Sequence, residues 1–83
     1  MTRNKQDLKE IYRNLKMDFA KLQGKCPNYT AMFTQLENLL KAVVNSQLEA
    51  AELHLDELQR LAPHPEDIED PEVKEALKKI KNY

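Results

Sequence analysis

The stretch from Tyr29 to Ala62 reads YTAMFTQLENLLKAVVNSQLEAAELHLDELQRLA, and the other segments of the chain are arranged around it. Its apolar residues recur at intervals of three and four, the spacing that places side chains on one side of a 3.6-residue helix. They are Tyr29, Met32, Phe33, Leu36, Leu39, Leu40, Val43 and Val44 in the first half, and Leu48, Ala51, Leu55, Leu58, Leu61 and Ala62 in the second. The stretch therefore predicts the helical centre of a small bundle.

The middle of this stretch favours a helical hairpin over one long helix. The polar triplet Asn45-Ser46-Gln47 interrupts the apolar pattern, and Asn45 suits the left-handed end of a helix. Ser46 and Glu49 form the S-x-x-E pattern of a helix start. One continuous helix over 29–62 would be about 50 Å long and hard to bury in a chain of this size. It remains the alternative.

The flanking segments predict further helices that cover the central one. An apolar stripe from Leu8 to Cys26 has heptad-like spacing and stops near Gly24 and Pro27, which favour a helix end. Asp70 followed by Pro71 is a typical helix start. The chain is therefore predicted to be all-α, a small antiparallel bundle of three to four helices in a single domain of residues 1–83. The predicted helices are about 5–23, 29–44, 47–62 and 71–81, with a mobile acidic linker at 63–70.

Composition argues against catalysis and metal binding. The 83 residues include one Gly, one Cys and two His. A zinc site needs three or four ligands, and Cys26 with the separate His54 and His64 does not supply them. No phosphate-binding glycine loop occurs. We expect no enzymatic activity and no cofactor. With no apolar leader, no segment able to insert in a membrane and no internal disulfide, we expect a cytoplasmic protein.

Charge is strongly segregated along the chain. Residues 1–41 carry eight basic and four acidic residues, residues 42–72 one and nine, and residues 73–83 four and one. Possible electrostatic contacts are Lys9, Arg13 and Lys16 on the first helix and Glu49, Glu52 and Asp56 on the third. Asp18 falls at the edge of the apolar stripe, where we expect it to be solvated or paired with Lys21. Tyr83 is expected either to pack back on the bundle or to fray.

These features predict a protein–protein interaction module, adaptor-like, chaperone-like or regulatory. The apolar arc of the central helix spans about 140°, more than one neighbouring helix can cover. The partner would be another protein or a second copy in a homodimer. The candidate contact residues are Met32, Phe33, Leu39, Val44 and Leu53.

Two alternatives stay open. In size, helix count and charge the chain resembles the small bundles that protect bacteria from their own bacteriocins, and Glu10-Ile11-Tyr12 and Pro27-Asn28-Tyr29 are similar to stretches of that group. It also resembles the short helical chaperones of bacterial secretion systems. The first resemblance implies an immunity- or antitoxin-like inhibitor of one target protein. The other alternative is a DNA-binding regulator that uses the basic first helix, although the acidic middle block makes nucleic acid a less favoured partner.

Overall fold

The computed structural model describes residues 3–83, which form four α-helices and contain no β-strand. The prediction of a small all-α bundle is confirmed. The helices are α1 (Lys5–Leu22), α2 (Tyr29–Val44), α3 (Leu48–Leu61) and α4 (Pro71–Lys81). The segment between α3 and α4 contains a short 3-10 turn, Pro65–Asp67, in which Pro65 is buried. The mobility of this acidic segment stays a prediction.

Helices that pack against each other run antiparallel, as polar contacts between their adjoining ends show. Lys5 at the start of α1 donates to the Ser46 hydroxyl after α2 (3.1 Å). The Asn28 amide before α2 donates to the Leu61 carbonyl at the end of α3 (3.1 Å). Lys25 after α1 pairs with Asp70 before α4 (3.9 Å). Helices α2 and α3 pack together most extensively, and α1 packs against both α2 and α4.

The connection between α2 and α3 is a tight turn, so the central stretch is a hairpin. Ser46 has a left-handed backbone (φ 58°), its amide donates to the Val43 carbonyl, and the Gln47 amide donates to the Ala42 carbonyl (2.8 Å). This pair of bonds is the Schellman arrangement that ends a helix. The left-handed residue is therefore Ser46 and not Asn45, and Ser46 makes no cap for α3, whose N-cap is Gln47.

The other helix boundaries follow local chemistry. Asn4 accepts a hydrogen bond from the Asp7 amide (2.8 Å) and caps α1, as Asp70 accepts from the Glu72 amide (2.9 Å) and caps α4. After α1, Gly24 has φ 75° and the Lys25 amide donates to the Leu22 carbonyl. This is the geometry of a type II turn, whose third position favours glycine.

The core lies along the shared interior of the four helices. Every helix contributes fully buried apolar side chains, and the largest is Phe19 of α1. The Phe19 ring packs against the rings of Tyr29 and Phe33 of α2, with centroids 5.7 and 6.3 Å away. The buried apolar residues are Leu8, Leu15, Phe19, Leu22, Met32, Leu36, Leu39, Ala42, Val43, Ala51, Leu55, Leu58, Ala62, Val73, Ala76, Leu77 and Ile80.

Candidate protein-binding groove

An open groove of about 630 Å³ lies between α1 and α2. Five of its lining residues belong to two and a half turns of α1, and one belongs to α2. We call it the basic groove, and its lining residues are Lys9, Tyr12, Arg13, Lys16, Met17 and Leu40. The groove therefore combines an apolar floor with three cationic side chains.

The antiparallel packing of α1 and α2 places these residues together. The Lys5–Ser46 hydrogen bond fixes one end of the helix pair, and the ring contact of Phe19 with Phe33 fixes the other. Between these contacts, Tyr12 of α1 and Leu40 of α2 line the same groove. Tyr12 is half-buried and packs on the core, so the floor of the groove is held by the bundle itself.

The cations of the basic groove have no acidic partner in the folded chain. Lys9, Arg13 and Lys16 are exposed, and within residues 3–83 none of them lies at ion-pair distance from a carboxylate. No carboxylate therefore neutralises these cations by direct contact, which favours a positive potential beside them. The groove therefore favours an anionic occupant.

Exposed large apolar side chains concentrate on the same two helices. Met17 is 66% exposed, Val44 61%, Phe33 38% and Leu40 36%. On α2 the three side chains at 33, 40 and 44 follow the spacing of one helix face. Leu40 lines the basic groove, and Phe33 contacts Phe19 of α1.

The set of contact residues predicted from the sequence needs a correction. Met32 and Leu39 are fully buried in the core, so neither side chain can meet a partner of the folded protein. Phe33 and Val44 lie on the exposed face of α2. Leu53 is 68% exposed on the outer side of α3, away from the other exposed apolar residues, and a single exposed leucine is ordinary.

The predicted charged residues also separate into two groups. The three cations of α1 come together in the basic groove. Glu49 and Asp56 are exposed on the outer face of α3. Glu52 instead has a partner within the fold, since both of its carboxylate oxygens accept from Arg3 Nη1 (3.0 and 2.9 Å). Glu52 is therefore a structural residue, which the sequence pattern did not reveal.

The opposite flank of α1 is closed by polar contacts that we call the polar network, formed by Arg3, Asp18, Glu52 and Tyr83. Asp18 is 5% exposed and accepts a hydrogen bond from the Tyr83 hydroxyl (2.7 Å). Arg3 Nη2 donates to the Tyr83 main-chain oxygen (2.6 Å) while its other guanidinium nitrogen binds Glu52. The expectation that Asp18 is solvated or paired with Lys21 is wrong.

The polar network changes the acidity of its phenol. Burial, followed by the hydrogen bond to Asp18 and the negative charge of that carboxylate, raises the pKa of Tyr83 well above its ordinary value of 10.0. The hydroxyl therefore stays protonated and remains a hydrogen-bond donor at neutral pH. Tyr83 packs back on the bundle, one of the two outcomes that the sequence left open.

Other reactive side chains do not assemble into a site. In the described part of the chain, no three or more His, Cys, Asp or Glu residues are grouped as potential metal ligands. Cys26 is half-buried, and burial raises the pKa of its thiol, which disfavours the nucleophilic thiolate. His54 lies 2.9 Å from the Gln35 side-chain oxygen and joins α3 to α2.

Sequence reasoning missed Tyr12, Met17 and Leu40 as members of the groove. Tyr12 belongs to the apolar stripe of α1 and was expected in the core, and Leu40 was assigned to the central arc. Only Met17 could have been recognised from the local sequence as a surface contact residue, because it is an apolar residue among the cations on the outer face of α1. The pairing of α1 with α2 was needed to bring the three together.

Comparison with known proteins adds no relative. Protein-family models, curated proteins and solved structures give no significant match to this chain. In residues 3–83, none of the helices combines the length and apolar character required to cross a lipid bilayer.

Proposed function

We propose that this protein is a non-enzymatic interaction module that binds another protein at the basic groove. The observation that carries the proposal is the combination of exposed apolar side chains, above all Met17 and Leu40, with three unpaired cations in one concave surface. A partner that covers the groove would bury the apolar floor and place opposite charges beside the rim. Both changes favour association.

The rest of the surface supports the same choice of site. Outside α1 and α2, Leu53 is the only large apolar residue of the described chain that is exposed. Interface hot spots are groups of side chains in pockets, not isolated residues. The basic groove has such a group, and the outer face of α3 does not.

Site-specific photo-crosslinking tests the proposal. A photoreactive phenylalanine analogue would replace Met17, which is 66% exposed, so that the larger side chain has room to extend into solvent. The matched control places the same analogue at Glu75, an exposed residue of α4. In cells that express the chain, we expect a discrete adduct from position 17 and none of the same mass from position 75. Mass spectrometry would identify the adduct.

A second substitution makes the result specific to the groove. Adding Leu40→Asp to the position-17 probe should abolish the adduct, because a carboxylate would replace an apolar part of the floor. The proposal fails if position 17 gives no adduct beyond that of position 75, or if Leu40→Asp leaves the adduct unchanged in a chain that is still folded by circular dichroism.

An inhibitor of the immunity or antitoxin type is a special case of this function, in which the crosslinked partner is a toxin. A location in the cytoplasm belongs to the same proposal. The identity of the crosslinked protein separates the inhibitor from an adaptor or a chaperone.

Binding of DNA is a second candidate, favoured by the joint exposure of Lys9, Arg13 and Lys16. Three phosphate contacts would give weak, strongly salt-dependent retention on duplex DNA. Contact with phosphate would leave Met17 and Leu40 uncovered, which makes this candidate the weaker one. Retention on DNA that does not fall in Arg13→Glu would eliminate it.

A further inference from the structure

We infer that the occupant of the basic groove is an amphipathic helix with carboxylates along one flank of its apolar face. This inference rests on the proposed function, since it names the chemistry of the partner at the same groove. It is carried by three features of the described surface: the length of the apolar strip, the arrangement of the helices that border it, and the unequal charge of its two sides.

The length of the apolar strip matches a short helix. Phe33 and Val44 mark its ends on α2, with Leu40 between them. Eleven residues of α-helix separate these ends, which corresponds to about 16 Å or three turns. A partner helix of about the same length would cover the strip with apolar residues spaced by four and three.

The border of the groove is itself helical. Helices α1 and α2 run antiparallel and leave Tyr12, Met17 and Leu40 in the furrow between them. A third helix laid along such a furrow packs its apolar face against both neighbours, which is the helix-in-groove mode of peptide recognition. An extended peptide would gain little from this surface, because the described residues form no sheet edge with which it could pair.

The two sides of the groove differ in charge. The α1 side carries Lys9, Arg13 and Lys16 without an acidic partner. On α2, the exposed charged residues that follow the apolar strip on the side away from α1 are Glu37 and Lys41, one of each sign. Charge complementarity therefore favours carboxylates on the flank of the partner helix that faces α1. It favours neither sign of charge on the flank that faces α2.

Three matched peptides test this inference on the complete chain. Each is a stapled helix of about 15 residues with leucines spaced by four, three and four, and one flank carries three Glu, three Gln or three Lys. Fluorescence anisotropy at low salt should give the Glu peptide about tenfold tighter binding than the Lys peptide. High salt should reduce that difference.

Charge reversal on the protein supplies the decisive control. Arg13→Glu should bring the affinities of the Glu and Lys peptides together or invert their order. Lys79→Glu, an equal charge change at an exposed residue of α4, should leave the tenfold preference unchanged. Met17→Asp should weaken all three peptides, because it acts on the apolar floor.

The outcomes separate this inference from the proposed function. Equal affinities for the three peptides, all lost in Met17→Asp, would overturn the acidic helix and leave the groove as a protein-binding site. Failure of every peptide to bind would also overturn the inference. If light scattering then showed a dimer that Leu40→Asp dissociates, the occupant would be a second copy of this chain. The crosslinking experiment judges the proposed function in either case.

Discussion

The two flanks of α1 differ in the contacts and the exposure of their side chains. On the flank that faces the C-terminal helix, Asp18 is buried and bonded to Tyr83, and Arg3 connects Tyr83 with Glu52. On the flank that faces α2, Arg13 and Lys16 have no ionic partner in the described chain and Met17 is exposed. Helix α1 thus has a closed flank, whose polar groups are bonded within the fold, and an open flank, whose side chains are exposed.

We expect the closed flank to contribute to folding stability and the open flank to contribute to binding. Polar groups on the closed flank satisfy one another, so the removal of one leaves a partner unsatisfied and costs free energy of folding. Side chains on the open flank have few contacts to lose, and their substitution should alter binding more than folding. The following predictions test this contrast in order of decreasing effect on stability.

Asp18→Ala should give the largest effect. It leaves the part-buried Tyr83 hydroxyl without its acceptor, and because water can replace some of the lost bond, the cost is about 1–2 kcal/mol. Alanine recovers roughly 0.5 kcal/mol through its higher helix propensity. We expect a net decrease of about 0.5–1.5 kcal/mol in the free energy of unfolding, measured by urea denaturation.

Asp18→Asn is the matched control for that measurement. Its side-chain oxygen can still accept from the Tyr83 hydroxyl, so it should retain more stability than Asp18→Ala. A double-mutant cycle with Tyr83→Phe should show coupling between positions 18 and 83. If the two substitutions add without coupling, the hydrogen bond between them contributes nothing to stability.

High pH should lower the free energy of unfolding through the closed flank. The unfolded chain loses the Tyr83 proton near pH 10.0, whereas the raised pKa keeps the folded chain protonated. The unfolded state then binds fewer protons than the native state, so stability falls as pH rises above 10.0 and is fully present below it. Urea midpoints should show a loss by about pH 11 that is smaller in Tyr83→Phe. Equal losses in both chains would exclude Tyr83 as the cause.

Met17→Gln should have the smallest effect on stability. Because this side chain is 66% exposed, we expect the free energy of unfolding to change by less than about 0.5 kcal/mol. The same variant should bind the Glu peptide more weakly, since an amide replaces part of the apolar floor. A loss of more than about 1 kcal/mol would show that Met17 belongs to the packed bundle and not to an open surface.

The sequence predicted the fold because its helix signals are local and redundant. Apolar spacing, the Asn4 and Asp70 caps and the breakers around Gly24 and Pro27 agree with one another, and each acts over a few residues. The hairpin was favoured for the right reason, the polar triplet at 45–47. Its details were wrong because one helix ends and the next begins within three residues, and Ser46 can serve either end.

The site was less predictable, because it depends on which helices become neighbours. The sequence grouped Lys9, Arg13 and Lys16 on one face, but it could not place Leu40 beside them without the pairing of α1 and α2. Burial of Asp18 depends on Tyr83, 65 positions away. Periodicity alone also could not decide which residues of the wide α2 arc are covered, so Met32 and Leu39 were assigned to the surface in error.

Arg3 connects the beginning of α1 with α3 and with the end of the chain. Its hydrogen bonds join residues 49 and 80 positions apart, whereas three residues connect α2 to α3. Closing a longer segment costs more chain entropy, although the cost grows only with the logarithm of length. We therefore expect the α2–α3 hairpin to form early and the ends of the chain to meet last, so that the closed flank of α1 is completed only when nearly all of the chain is in place.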